Sequence, residues 1–252
     1  MKHQLTRTCS VLAAVAAWAI ATTPGMSQES TEELVKRLAG QAAQAPAAAG
    51  APGLATRGLG NTRSFGPAAA PAPVQTETRS LILSTRGIPK AVQAAQEENT
   101  VSFTATTAVK STGAGDYAVN PGEQAYEVSY AVDPYSKVAR DNILFRKGSD
   151  EFYDEASYQV VVQLAEALRH PSLAAFKYVI EGHASAEGNA YSNQALSQRR
   201  SERIVYVLAN LGVDPHRLLP IGYGETQARY PDYSEEYLLR QDRRVLIFKL
   251  EQ

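Results

Sequence analysis

The segment Glu181-Gly182-His183-Ala184-Ser185-Ala186-Glu187-Gly188 gathers two carboxylates, an imidazole and a hydroxyl among small residues. It links an alternating apolar run to a run of helical period. Small side chains let a ligand approach the backbone, and the free N–H groups of a helix start can receive a carboxylate. On the following run, Asn193, Leu196, Arg200, Ile204, Val207 and Leu211 step by three or four and share one face. An Arg inside an otherwise apolar stripe is unusual. Arg200 either snorkels to water along its aliphatic stem or holds its guanidinium near a sheet to grip a carboxylate in a fork.

Covalent chemistry and metal chemistry have weaker support. Gly182-x-x-Ser185-x-x-Gly188 lacks the Gly-x-Ser-x-Gly spacing of a nucleophile elbow, and His183 beside it is better read as satisfying the backbone of its turn. The four His residues, at 3, 170, 183 and 216, are too dispersed for a metal site. Cys9 is the lone Cys and lies, with the lone Trp18, in the first twenty residues. Disulfide scaffolds, Cys-based zinc sites, iron–sulfur clusters and thiol enzymes are therefore excluded together if that segment is removed. No phosphate loop is present, and no cofactor or metal is expected. With 25 basic against 26 acidic residues, nothing marks a nucleic-acid partner.

The elements that must position Arg200 are legible in the last 115 residues. Ile143-Leu144-Phe145 reads as a short strand, with Glu151, Asp154 and Glu155 at the following helix start, where acids suit the dipole. Tyr158, Val161, Val162, Ala165 and Leu168 recur as an amphipathic helix closed by Pro171. Phe176, Tyr178 and Ile180 alternate into a strand ending at Gly182, and a long helix runs from Ala190 to Leu211, capped by Gly212. Leu219 to Tyr223 is a strand, Glu235 to Leu239 a short helix, and Val245 to Leu250 a last strand. The order βαβαβ(α)β predicts an α+β two-layer sandwich with both main helices on one face of a mixed sheet.

Four segments are expected. Residues 1–27 read as a cleaved signal peptide: Lys2 and Arg7 precede the apolar run Val11 to Ala21, which is too short to span a bilayer. Cleavage follows Ala21 or, by preference, Ser27. Cys9 precedes the run and so is no lipidation site. The mature chain then has no transmembrane segment, no thiol and no indole. Residues 28–95 comprise a short helix, with a capping box at Ser30-Thr31-Glu32-Glu33 before Leu34, Val35 and Leu38, and a disordered tether. From Gly40 to Pro73, 23 of 34 residues are Ala, Gly or Pro, too little apolar side chain to offset the entropy of ordering. Thr-Arg recurs at Thr56, Thr62, Thr78 and Thr85, either by chance on a solvated basic patch or as a docking motif. Residues 96–137 alternate at Val101, Phe103 and Ala105 and again at Tyr126, Val128, Tyr130 and Val132, as a β-hairpin extension packed on the domain at 138–252.

That last segment resembles the OmpA-like C-terminal domain shared by OmpA proteins, peptidoglycan-associated lipoproteins and MotB. The resemblance is carried by Glu181-Gly182-His183 with Gly188, Asn193 with Leu196-Ser197-Gln198-Arg199-Arg200, Val213 to Leu218, Gly222-Tyr223-Gly224-Glu225, and Asp242-Arg243-Arg244-Val245. It implies a non-catalytic module of the Gram-negative envelope, in the periplasm and associated with the cell wall or outer membrane. Its ligand would be the diaminopimelate of the peptidoglycan stem peptide. An Asp of the family's Gly-His-Thr-Asp block holds the ammonium and Arg200 the carboxylate; Asn193, Leu196, Phe145, Ser149 and Arg243 match other site positions. Here Ser185 replaces that Asp. A charged acceptor is worth roughly 1.5–3 kcal/mol and a neutral one about 0.5–1.5, so binding weakens about tenfold unless Glu187 restores the charge. Asp242 stands where Asn is usual, which weakens the expectation of glycan contact there. The competing reading is a domain that has lost the wall ligand and serves as an envelope protein–protein interaction module. In either case residues 28–136 are free to engage an envelope protein partner.

Overall fold

The computed structural model describes residues 29–40, 76–84, 88–106 and 124–251. The signal-peptide reading and nearly all of the tether lie outside them. Eleven main elements follow in chain order: α1 (Thr31–Leu38), β1 (Glu77–Ser84), α2 (Lys90–Glu97), β2 (Ser102–Thr106), β3 (Ala125–Arg140), α3 (Glu155–Leu168), β4 (Tyr178–His183), α4 (Ala190–Asn210), β5 (Leu218–Gly224), α5 (Glu236–Asp242) and β6 (Val245–Leu250). The sheet runs β1-β3-β6-β4-β5, with β2 also on β3. The β4–β5 pair is parallel and the others are antiparallel. The sheet is thus mixed and the fold is α+β.

Side-chain chemistry sets the helix boundaries. Ser30 accepts from the Glu33 amide, Asp154 from the Ser157 amide and Asn189 from the Ser192 amide, each satisfying a donor that the helix start leaves free. Gly212 takes a left-handed φ of 88°, as a cap there requires. One face of the sheet carries Tyr178, Ile180, Val245 and Ile247 under Val161, Leu164 and Leu168 of α3 and Ile204 and Leu208 of α4. Both long helices share that face. Leu34 and Leu38 of α1 join the same core, so the short N-terminal helix, marginal alone, is stabilised by tertiary burial.

The second face is covered as well. Strand β3 is irregular between Asp133 and Val138. Its first half, with β1, β2 and α2, curls over Val179, Leu219, Ile221, Tyr223, Leu246 and Phe248 as a flap.

The structure departs from three sequence expectations. Ile143–Phe145 is no sheet strand, because β3 already occupies the edge of β6; Phe145 makes only an isolated bridge with Phe152. The expected linker over 28–95 contains β1 and α2, ordered by burial of Leu81, Leu83 and Val92. The expected boundary at 137/138 falls inside β3, whose two halves serve the flap and the main sheet.

Candidate functional site

Glycine sets the site's depth. A Cβ on Gly182 would lie 2.5 Å from the Ser197 carbonyl oxygen, and one on Gly222 would lie 2.3 Å from the Gln198 amide nitrogen. The smallness of Gly182, which the sequence reading assigned to ligand approach, thus serves the seating of α4 on β4, and that of Gly222 its seating on β5. Ser197 then donates to the Gln194 carbonyl and accepts from the Gly224 amide, and Gln198 accepts from the Gly222 amide. The helix is fixed in register, and Arg200 points where the sheet dictates.

Arg200 is 9% exposed. Its Nε donates to the Ser149 carbonyl at 3.0 Å and its Nη2 to the Arg146 carbonyl at 3.3 Å, with the guanidinium 5.0 Å from the Phe145 ring centroid. It does not snorkel, and no carboxylate is paired with it among the described residues. Burial, with Arg243 and Arg199 nearby, pushes its pKa down to about 10. It lines a cavity of about 370 Å³ together with Ile143, Leu144, Phe145, Tyr153, Gly182, His183, Glu236, Arg240, Arg243, Arg244 and Val245. A desolvated cation beside an open cavity, hydrogen-bonded among the described residues to neutral carbonyls alone, is chemically set to receive an anion.

The other expected residues divide. Ser149 and Phe145 hold Arg200 directly. Ser185, 5% exposed, donates to Glu187 Oε2 at 3.2 Å, and that same oxygen accepts from Arg243 Nη1 at 3.1 Å. Glu187 therefore stands beside Ser185, but its charge is already engaged. Asn193 donates to the Ser185 and Glu187 carbonyls and to Glu225 Oε2, so it shapes the loop from behind. Leu196 is half-buried and does not line the cavity. Asp242 is fully buried and accepts from the Arg229 and Tyr230 amides at 3.0 Å; it organises the chain before α5.

Sequence reasoning missed two groups. Arg240 and Glu236 reach the cavity from α5, signalled only by their i, i+4 spacing. On the opposite sheet face, Arg79 grips fully buried Glu181 through two hydrogen bonds, Nε to Oε1 at 2.6 Å and Nη2 to Oε2 at 2.8 Å. Tyr130 donates to Glu181 at 2.6 Å and so accepts from Tyr223 at 2.8 Å. His183 meets Glu181 at 3.3 Å and stacks on Tyr223, so its ring serves this cluster and only its amide bonds the backbone, at Arg244. Burial pushes the Glu181 carboxyl up, but the His183 hydrogen bond and the Arg79 charge outweigh it and hold the group below its usual range. Burial keeps His183 below its ordinary value and hence neutral. Of the four Thr-Arg pairs, only the one at Thr78-Arg79 lies within the described residues. Its Arg is a structural anchor.

Among the described residues no cluster of His, Cys, Asp or Glu could hold a metal ion, and no helix is long and apolar enough to cross a membrane.

Residues 144–237 match the OmpA family. A 48-residue stretch is 44% identical to outer membrane porin F of Pseudomonas fluorescens, covering 19% of this chain and 15% of the porin. The chain is also similar to the peptidoglycan-associated lipoprotein from Burkholderia pseudomallei, at 22% identity over 46% of this chain and 93% of that one, with a TM-score of 0.39. It is similar as well to the cell wall anchor of the T6SS from Pseudomonas aeruginosa, at 19% identity over 65% of this chain and 96% of that one, with a TM-score of 0.39.

Proposed function

We propose that this chain, which carries an OmpA-family domain over residues 144–237, is an exported, non-catalytic envelope protein that docks on peptidoglycan. The observation that carries the reading is Arg200. Nearly buried, held by two backbone carbonyls and an aromatic face, it lines the cavity without a carboxylate partner among the described residues. A stem-peptide carboxylate, such as that of diaminopimelate, supplies the missing charge. Phe145 and Ser149 orient the guanidinium, Asn193 sets the loop, and Arg243 holds Glu187. The signal peptide delivers the chain to the periplasm, and the N-terminal region engages an envelope protein partner.

Co-sedimentation of the mature chain with insoluble peptidoglycan tests this. Loss of charge-assisted hydrogen bonds worth roughly 1.5–3 kcal/mol predicts that Arg200→Ala weakens retention about tenfold or more. Retention unchanged by that substitution would refute the site. A neutral hydroxyl at Ser185, where the resemblance implies a carboxylate, favours a second reading: a protein-interaction module without wall affinity. Absence of retention by the unaltered chain would select it.

A further inference from the structure

The cavity beside Arg200 is biased in charge. Arg200, Arg240 and Arg243 line it against the single carboxylate of Glu236, while Arg244, also in the lining, has its guanidinium held by Asp242 and the Gln227 carbonyl. His183, held neutral by burial, adds nothing. Glu236 is already paired with Arg243. The carboxylates just beyond the lining are also engaged: Glu187 by Ser185 and Arg243, Asp242 by Arg229, Arg244 and two amides, and Glu225 by Asn193. Asp150 attracts Arg200 only from outside the lining. Arg240, exposed on α5, has no carboxylate partner among the described residues.

An anion entering this space meets uncompensated positive charge. An ammonium entering with it meets only carboxylates that already have a partner, Glu187 and Glu236 sharing Arg243. It would have to share Glu187 with Arg243 or stand beside the unpaired Arg200 and Arg240, and like charges repel. Ser185 adds the complementary detail. Its hydroxyl hydrogen is directed at Glu187, and although Ser185 lies outside the cavity lining, the position where the resemblance implies a carboxylate carries a neutral group.

We propose that this cavity selects a carboxylate whose neighbouring amine has been acylated, so that on the wall it takes cross-linked stem peptides in preference to stems with a free amine. Cross-linking converts that amine to an amide, which removes the ligand's positive charge and leaves its carboxylate for Arg200. The inference rests on the wall-binding reading above and gives it a direction. The domain would favour mature, cross-linked wall over newly inserted strands.

Titration calorimetry of the mature chain decides it, using three forms of one synthetic stem tripeptide ending in diaminopimelate: side-chain amine free, acetylated and dimethylated. The dimethyl form adds bulk while keeping the charge. The acetyl form is expected to bind at least about fivefold tighter than the other two, in line with one unit of like charge removed. The Ser185→Asp variant is expected to invert that order by supplying a free carboxylate. Equal or tighter binding of the free-amine form overturns the proposal, and so does a dimethyl form that binds as well as the acetyl one, since bulk would then decide. If no probe binds while the chain still sediments with peptidoglycan, the cavity is not the stem site and this inference fails alone. If sedimentation fails too, the wall-binding reading falls with it.

Discussion

Replacing Arg79 with Ala should destabilise the fold far more than a strand outside the matched family segment would suggest. Arg79 is 10% exposed at its side chain and Glu181 is 0% exposed. The substitution removes two short charge-assisted hydrogen bonds to Glu181, a third contact to Gln227 at 3.0 Å, and the guanidinium 4.7 Å from the Phe248 ring centroid. The buried carboxylate keeps only Tyr130 and neutral His183. Removing one partner of a buried pair costs about 3–5 kcal/mol, because the other charge is left uncompensated. For a chain of this size that lowers the melting temperature by about 6–20 °C. In the native protein the Glu181 carboxyl sits below its unfolded value, so its contribution is full above the ordinary carboxylate range and is lost as pH falls through the folded value. Without Arg79, burial dominates and the carboxyl rises above its unfolded value. The variant then regains stability as pH falls from neutral towards 5, because the folded state binds the extra proton. Urea unfolding followed by circular dichroism at pH 7 and pH 5 should therefore show a gap between the two proteins that narrows on acidification. A gap under about 1 kcal/mol at pH 7, or one independent of pH, would refute the argument. The double variant Arg79→Met, Glu181→Leu should recover most of the loss, since an apolar pair of similar volume removes both charges.

Gly222→Ala should cost roughly 1–3 kcal/mol and abolish retention on peptidoglycan, because the added carbon meets the backbone of α4, which carries Arg200; thermal unfolding and co-sedimentation check the two effects. Leu38→Ala, deep in the helix-side core, should cost about 2–5 kcal/mol; a loss under about 0.5 kcal/mol in urea unfolding would show that α1 is not docked in solution. The protein recovered from the periplasm should show tyrosine but no tryptophan fluorescence, since Trp18 is the lone Trp; indole emission would refute cleavage after Ala21 or Ser27.

The parts of the fold legible in the sequence were those whose burial partners repeat at a local period. The stripes of α3 and α4 each bury one face and the apolar runs of β4 and β6 are buried on both, so hydrophobicity alone locates them. Arg200 stood out because it interrupts such a stripe. Strand β1 was hidden for the same reason in reverse: Glu77, Arg79, Leu81 and Leu83 share one face, and two charges on that face read as solvated. What makes Arg79 a buried residue is Glu181, about a hundred positions later, and no local pattern carries that pairing. The strand expected at Ile143–Phe145 failed because a third apolar run, β3, fits the same edge of β6 and is long enough to fill it. Periodicity identifies a run that can pair; competition between runs for one sheet edge decides which does.

Strand β4 joins the two faces of the molecule. Its alternation turns Gly182 towards α4 and the cavity, and Glu181 and His183 towards the flap. The His183 amide also donates to the Arg244 carbonyl, between Asp242 and the start of β6. The Arg79 pair therefore anchors the flap to the strand whose next residue sets the depth of α4. If the flap were only an appendage, Arg79→Ala would lower stability and leave ligand affinity unchanged at temperatures where the variant is folded. Because one strand serves both faces, any shift of Glu181 is transmitted through a single peptide to Gly182 and thence to the Ser197 carbonyl it touches. The folded variant should then bind peptidoglycan more weakly than the unaltered chain although Arg79 lies across the sheet from the cavity. Co-sedimentation well below the variant's melting temperature measures this, and undiminished retention would show that the flap and the cavity are mechanically independent.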